Sequence, residues 1–265
     1  MTTSVQDSTA TPHAHERQVP PLGGFNLTAL KLEVRRVLRN RRTVMFILVF
    51  PSVFFFMFGL SSKAQAQGGP AAIAYVMISM AVYGAMVGTT AGGAAVAVER
   101  SLGWSRQLRL TPLRPGAYVA MKVLTAMTLG LIAIVAEFAV GALSGVHLAP
   151  HVWLLSGLAG WLGSFVFAAF GLFMGFLLPS ENVMQFVGPL LAVLAMFGGL
   201  FIPLSALSPT MRTVAHFSPV WGVGVIARAP LVGGFSSGAI MSVVAWTLVF
   251  GVGAMALFRR DTARV

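Results

Sequence analysis

The sequence predicts an all-α, polytopic membrane protein with six transmembrane helices. Three observations support this fold class. The 265 residues are 57% hydrophobic and only 9% charged, the mean hydropathy is +0.83, and apolar runs of helical length recur along the chain. A soluble domain has about a quarter of its residues charged, so most of this protein's surface must face hydrocarbon.

The N-terminal region predicts a tail followed by a basic helix. Residues 1–24 are rich in Ser, Thr, Pro and His without apolar periodicity, and we expect a disordered cytoplasmic tail there. In residues 25–42 apolar side chains recur at helical intervals, and most of the lysine and arginine side chains lie on the other side. This pattern is typical of an amphipathic helix that lies along lipid headgroups. Asn26 and Thr28 are candidate caps for it.

Six apolar runs are long enough to span a membrane, since a helix needs roughly 20 residues to cross about 30 Å of hydrocarbon. They cover residues 43–61, 71–98, 117–145, 152–178, 183–202 and 236–258. Residues 203–235 are also apolar in places, but four prolines and several glycines interrupt them. This segment predicts a re-entrant element of short helices before the last span, tolerable in lipid only where other protein satisfies its backbone.

The distribution of basic residues predicts the topology. Fifteen of the 18 lysine and arginine residues lie before the first span, in the loop after the second span together with the first turns of the third, or after the sixth span. The other three are Lys63, Arg212 and Arg228. The positive-inside rule therefore predicts that both termini are cytoplasmic, with residues 259–265 as a C-terminal tail. Frequent Ala, Gly, Val and Arg with few Lys indicate a bacterial source, and thus a bacterial plasma membrane.

Several function classes are disfavoured by the sequence. The net charge of +11 comes in short blocks between apolar runs, where membrane topology puts it, so we expect no nucleic-acid partner. Only one carboxylate lies inside a predicted span, and neither histidine spacing nor cysteine offers a metal site. Lys31, Lys63 and Lys122 are not followed by Ser or Thr, which excludes a P-loop. We expect no enzymatic activity and no cofactor bound by this chain.

The loop of residues 99–116 is the only sizeable internal loop on the predicted cytoplasmic side, and it is strongly basic. Residues 104–111 predict a short helix that ends at Pro112, with a turn on either side. A short polar helix held between two spans can transmit the movement of a docked partner into the membrane. The alternative is that the loop only anchors the chain to headgroups.

Two stretches resemble type 2 ATP-binding-cassette (ABC) exporter permeases of the drug-resistance and polysaccharide-export kind. The first is ERSLGWSRQLRLTPLRPGAY, residues 99–118, followed by Lys122. The second is GGLFIPLSAL, residues 198–207, followed by the triplet Phe217-Ser218-Pro219, in which Ser218 stands where that family commonly has asparagine. The resemblance covers roughly residues 25–258.

The resemblance implies a half-transporter with an amphipathic connecting helix at 25–42, a coupling helix after the second span and a re-entrant element before the sixth. Such permeases pair with a second permease copy, identical or not, and each docks on a cytoplasmic ABC ATPase subunit that binds ATP and Mg. They export hydrophobic or amphipathic cargo, and drug, lipid and glycan all stay open here. The ATPase-coupling candidates are Glu99 and Arg100 at the hinge and Gly103, Trp104, Arg106, Gln107 and Arg109 in the docking loop.

Two polar residues inside the predicted spans are candidates for the cargo path. Glu137 in the third span costs roughly 2.5 to 3.5 kcal/mol on the insertion scale if it is central, so it should face protein or water. It could contact cargo, carry a proton, join two spans or be solvated near the outer surface. Gln185 in the fifth span is the second candidate. A secondary transporter using Glu137 and a non-transporting membrane scaffold are the alternative functions.

Small residues predict where spans approach each other closely. Gly84, Gly88 and Gly92 recur every four residues in the second span, which places them on one face of a helix. Such spacing is typical of close packing between transmembrane helices.

Overall fold

The computed structural model describes residues 21–60, 62–103, 113–234 and 236–263, and within these ranges the chain is helical, without strands. Six of its helices are long and apolar enough to cross a membrane, which confirms the predicted fold class. No span boundary differs from the predicted one by more than five residues. The spans, numbered in chain order, are Arg41–Gly59, Gly69–Ser101, Gly116–Leu143, Pro150–Leu177, Ser180–Phe197 and Ser237–Asp261.

Several spans contain a break within the helix. The first combines an α-helix, Arg41–Phe54, with a π-helical turn, Phe55–Gly59. The second consists of helix Ser62–Ala94, kinked at Gly69, and helix Val96–Ser101. The fourth consists of helices Pro150–Gly163 and Phe165–Leu177. The third, fifth and sixth are single helices, Pro115–Leu143, Ser180–Phe197 and Ser237–Ala263.

A separate N-terminal helix, Leu27–Leu38, precedes the first span. The Asn26 side chain accepts a hydrogen bond from the Thr28 amide at 2.8 Å and caps this helix. Asn40 caps the first span in the same way, through the Thr43 amide at 3.4 Å. An N-cap side chain satisfies an amide that has no partner within the helix, so these two asparagines fix the break between the surface helix and the span.

Only the end of the predicted N-terminal tail falls within the described residues. Pro21–Gly24 form a 3-10 turn, and residues 1–20 lie outside the described ranges. The Gly23 carbonyl accepts a hydrogen bond from the Arg114 amide at 2.8 Å. The chain entering the N-terminal helix is therefore tied to the start of the third span.

The second span forms the centre of the bundle and packs most extensively against the third and fourth spans. A Cβ atom added at Gly92 would lie 2.6 Å from the Ala126 Cα, and one at Gly171 would lie 2.3 Å from the Thr90 carbonyl oxygen. Gly84 and Gly88 also face the third span. The predicted close packing of this glycine face is confirmed, because a Cβ atom would collide with the third span at Gly92 and would be tightly crowded at Gly84 and Gly88.

Two short helices occupy most of the predicted re-entrant segment: Pro209–His216 and Pro219–Val232. Ser218 accepts a hydrogen bond from the Val220 amide at 3.2 Å, so the residue that departs from the family pattern acts as the N-cap of the second helix. Helix 219–232 is largely buried and packs against the second, fourth and sixth spans. Its burial supplies the protein environment that a broken segment needs in a membrane.

The last span extends into the predicted C-terminal tail. Its helix continues to Ala263, so residues 259–263 are helical, and residues 264–265 lie outside the described ranges. This continuation carries Asp261 to the end of the second span.

Candidate coupling site at the end of the second span

The second span ends at Glu99 and Arg100, the two residues predicted to form the hinge. Helix Val96–Ser101 stops at a turn, where the Gly103 amide donates to the Arg100 carbonyl at 3.0 Å. Gly103 has φ of +72° with open space around it. The backbone conformation itself therefore favours glycine at this predicted coupling position, since L side chains are strained in the left-handed region.

Glu99 is only 3% exposed and accepts hydrogen bonds from three side chains. Its Oε1 accepts from the Arg36 guanidinium at 2.6 Å and from the Lys122 ammonium group. Its Oε2 accepts from the Tyr118 hydroxyl at 2.6 Å. A buried carboxylate is tolerated only when it is paired and hydrogen-bonded, and Glu99 meets this condition with donors from the N-terminal helix and the third span.

Lys122 lies between two carboxylates. Its ammonium group contacts Glu33 as well as Glu99, and its side chain is almost fully buried. Arg36 also lies 3.6 Å from Glu33 within the N-terminal helix. Burial opposes the charge of Arg36, but the carboxylates of Glu33 and Glu99 outweigh burial and raise the pKa of Arg36 above its usual value. These alternating charges fasten the N-terminal helix to the second and third spans.

Arg100 points to a different group of helices. Its guanidinium forms a bidentate pair with Asp261 of the sixth span, at 3.1 Å from Nε and 2.8 Å from Nη2. Its Nη1 donates to the carbonyls of Gly175 and Phe176, at 3.1 and 2.8 Å. Those carbonyls belong to the C-terminal end of the fourth span, where a cation is favourable. Arg100 thus joins the ends of three spans.

A cavity of about 760 Å³ opens beside this junction. Its walls include Arg100, Gly103, Glu181 and Asp261, together with the turn that joins the fourth and fifth spans. Gly103, the last described residue before the predicted docking loop, is one of its walls. Trp104, Arg106, Gln107 and Arg109, the predicted docking residues, lie outside the described residues, so their part in the site stays a prediction.

Glu137 is buried in the protein interior, 1% exposed. Its Oε2 lies 2.9 Å from the Ser52 hydroxyl of the first span, and its Oε1 has no hydrogen-bond partner in the described part of the chain. One turn further on, a Cβ at Gly141 would overlap the Met77 side chain. Glu137 therefore faces protein, and the alternative of a solvated side chain near the outer surface does not fit its burial.

Gln185 is not brought into the same environment as Glu137. Its side chain is exposed, whereas Val183 and Val187 on the same helix are buried. Residues two positions away on either side point inward, so Gln185 points away from the bundle. A role for it in a cargo path needs a surface outside this chain's own interior.

Glu33, Asp261 and Arg228 are functional candidates that the sequence pattern alone does not identify, although each is distinctive. Glu33 is the only acidic residue in 25–42, Asp261 the only one in 259–265, and Arg228 interrupts an apolar run. An acidic residue alone in a basic segment, or an arginine alone in an apolar run, is the sequence signal that could have identified them. In the described part of the chain, no three or more His, Cys, Asp or Glu residues are grouped to hold a metal ion.

Comparison with known proteins agrees with the geometry. The family described as ABC-2 type transporter matches residues 26–232. The chain is also similar to the Bacillus subtilis (strain 168) protein named "Putative transport permease YvfS", with 28% identity over 194 residues, which covers 72% of this chain and 79% of that protein. The family match includes the first five spans, Glu99, Arg100 and helix 219–232.

Proposed function

Because the chain belongs to the ABC-2 type transporter family, we propose that it is the permease subunit of an ATP-driven exporter. It moves a hydrophobic or amphipathic cargo, such as a drug, a lipid or a glycan, out of the cytoplasm. The observation that supports this most directly is the junction at Glu99 and Arg100. A loop that begins at this junction can act on every span that the two side chains hold.

The energy for transport comes from a separate ABC ATPase. This chain has no P-loop lysine, so ATP and Mg bind to the partner subunit. The ATPase docks on residues 104–112 and pushes the end of the second span. Glu99 transmits the push to the N-terminal helix and the third span, and Arg100 transmits it to the fourth and sixth spans.

The working unit contains two permeases, each with its own ATPase, in a bacterial plasma membrane. Both termini and the Glu99 end of the bundle face the cytoplasm, since most lysine and arginine residues lie there. The N-terminal helix lies along the cytoplasmic headgroups, and helix 219–232 re-enters the membrane from the outer side.

Glu137 serves mainly as a polar contact between the first and third spans within the cargo path. Its hydrogen bond to Ser52 supports this role. The alternative of a secondary transporter that uses Glu137 is weaker, because such proteins usually carry several ionisable groups and two related halves. Among the described spans, Glu137 is the only carboxylate away from a span end, and the sequence has no evident repeat.

Site-specific cross-linking to the ATPase tests the proposed function. The chain has no cysteine, so Ser101→Cys places a unique thiol beside the docking loop, and Ala149→Cys provides a matched control at the other end of the bundle. In membranes of the source organism, a short thiol-reactive photo-cross-linker attached to Ser101→Cys should capture a P-loop ATPase. The same cross-linker attached to Ala149→Cys should not capture it. Gradient-driven transport by the purified chain alone in proteoliposomes would instead establish the secondary transporter.

A further inference from the structure

We propose that the cavity beside helix 219–232 binds an anionic amphiphile, with Arg228 holding its phosphate or carboxylate group. This site is separate from the coupling site. The cavity has a volume of about 800 Å³ and lies near the start of the second span, where Tyr75 is one of its walls. Tyr75 and Glu99 are 24 residues apart on that span, which at 1.5 Å per residue separates the two sites by roughly 36 Å.

Arg228 is a buried cation with no counter-ion among the residues that the structure describes. Its side chain lies on helix 219–232 and is only 3% exposed. Its guanidinium lies over the Tyr75 ring, 4.5 Å from the centroid. No carboxylate in the described ranges pairs with it. A cation–π contact offsets part of the cost of burying a charge, but an unpaired buried charge remains costly.

The hydrogen bonds of Arg228 leave most of its donors free. Nη1 donates to the Ser79 hydroxyl at 2.9 Å and to the Gly199 carbonyl at 3.2 Å. A guanidinium has five N–H donors, and both of these bonds start from Nη1. The donors of Nη2 and Nε have no partner among the described residues, while Arg228 forms part of the cavity wall. Phosphate and carboxylate groups fit such a pair of donors in a bidentate manner.

The rest of the cavity wall fits a ligand with an apolar group attached to its anion, rather than a free inorganic ion. Arg228 is the only charged residue among the described residues that line it, and most of the other lining side chains are aromatic or aliphatic, including Phe201, Val76 and Val225. Inorganic phosphate would leave these walls without contacts, whereas an acyl or aromatic group would cover them. The volume lies within the range of roughly 300 to 1,000 Å³ that is usual for small-molecule sites. The chemistry therefore selects a single anionic group on an apolar body.

Three probes distinguish the contribution of the anionic group from that of the apolar group. The purified full-length protein, in a neutral detergent, is titrated with dodecyl phosphate, with its uncharged twin dodecanol and with inorganic phosphate, and bound probe is counted by native mass spectrometry. We expect saturable binding of dodecyl phosphate and weaker or no binding of the other two. Saturable binding of inorganic phosphate that matches dodecyl phosphate would overturn the amphiphile assignment in favour of a free-anion site.

Two variants remove different features of the site. Arg228→Met removes the charge with little loss of volume, and Ala72→Phe fills the cavity while leaving Arg228 in place. Each should weaken dodecyl phosphate binding by roughly tenfold to a hundredfold, the range expected for losing charge-assisted hydrogen bonds or the space that allows them. Arg39→Gln, at an exposed arginine beside the N-terminal helix, should bind like the unmodified protein.

If Arg228→Met does not fold, the Ala72→Phe variant still tests the site, because it fills the cavity and leaves Arg228 in place. Unchanged dodecyl phosphate binding in a folded Ala72→Phe variant would overturn the site, as would a loss of binding in Arg39→Gln equal to that in Arg228→Met. The result does not depend on an ATPase, so it is distinguishable from any failure of the proposed export function.

Discussion

Glu99 and Arg100 are adjacent in the chain, yet their side chains bind two different groups of helices. Glu99 holds Lys122 and Tyr118 of the third span, and Arg36 of the N-terminal helix. Arg100 holds Asp261 and two carbonyls at the end of the fourth span. Since consecutive residues on a helix point about 100° apart, one rigid helix end reaches both groups. A small displacement of this end must strain one set of bonds or the other.

The first prediction concerns the buried carboxylate. Glu99→Gln should lower the free energy of unfolding by about 3 kcal/mol, because removing one member of a buried ion-pair network leaves Lys122 only partly paired. Unfolding of the purified protein in mixed micelles, followed by circular dichroism, measures the change.

Two further variants identify the origin of that loss. Glu33→Gln should cost less, since Glu33 is more exposed than Glu99 and Lys122 keeps the better-buried partner. Adding Lys122→Met to Glu99→Gln should recover part of the stability, because it removes the poorly paired cation. A double variant no more stable than Glu99→Gln alone would contradict the proposed network.

The second prediction concerns the junction of three spans. Arg100→Gln should destabilise the protein more than Asp261→Asn, because Arg100 also satisfies two carbonyls at a helix end, whereas among the described residues Asp261 makes only the partly exposed pair. We expect about 1 kcal/mol or less for Asp261→Asn and roughly 2 to 3 kcal/mol for Arg100→Gln. Equal effects of the two changes in the same micelle-unfolding measurement would show that the carbonyl bonds contribute nothing.

The spans can be predicted from the sequence, because they depend on local composition. The site can be predicted only in part, because it depends on contacts between residues far apart in the chain. Membrane spans follow from local composition, since about 20 apolar residues suffice, and Glu99 and Arg100 stood out as charges at the end of such a run. Their partners Arg36 and Asp261 lie 63 and 161 residues away from them and could be paired only once the helices were packed. From the sequence, Arg228 counts as a charge on the outer side. Its burial depends on helix 219–232, and the prolines and glycines in that segment make the helix hard to recognise from sequence.

The third prediction concerns the close approach of the second and fourth spans. Gly171→Ala should destabilise the bundle by roughly 1 to 3 kcal/mol, because its Cβ would lie 2.3 Å from the Thr90 carbonyl oxygen. Gly188→Ala is the matched control, since this helical glycine has open space around it, and alanine there should be neutral or slightly stabilising. Thermal unfolding in one detergent compares the two, and a loss at Gly188 as large as at Gly171 would contradict the packing argument.

The fourth prediction separates the two readings of Glu137. Glutamine retains a carbonyl oxygen that can accept from Ser52, so Glu137→Gln should fold normally and keep ATP-driven transport if the residue only joins two spans. Ser52→Ala should cost about 1 kcal/mol through the lost hydrogen bond. Complete loss of transport in a well-folded Glu137→Gln protein, with a normal rate of ATP hydrolysis by the partner, would instead show that the carboxylate acts on cargo or on a coupled ion.

The fifth prediction fixes the orientation on which the coupling mechanism depends. Ser101 and Ala149 are both exposed and lie at opposite ends of the third span, which is about 40 Å long at 1.5 Å per residue. A membrane-impermeant maleimide added to intact cells should label Ala149→Cys and leave Ser101→Cys unmodified, while both should react after permeabilisation, which controls for thiol reactivity. Strong labelling of Ser101→Cys in intact cells would place the Glu99 end outside. An ATPase in the cytoplasm could not then push on it, whatever the packing of the helices.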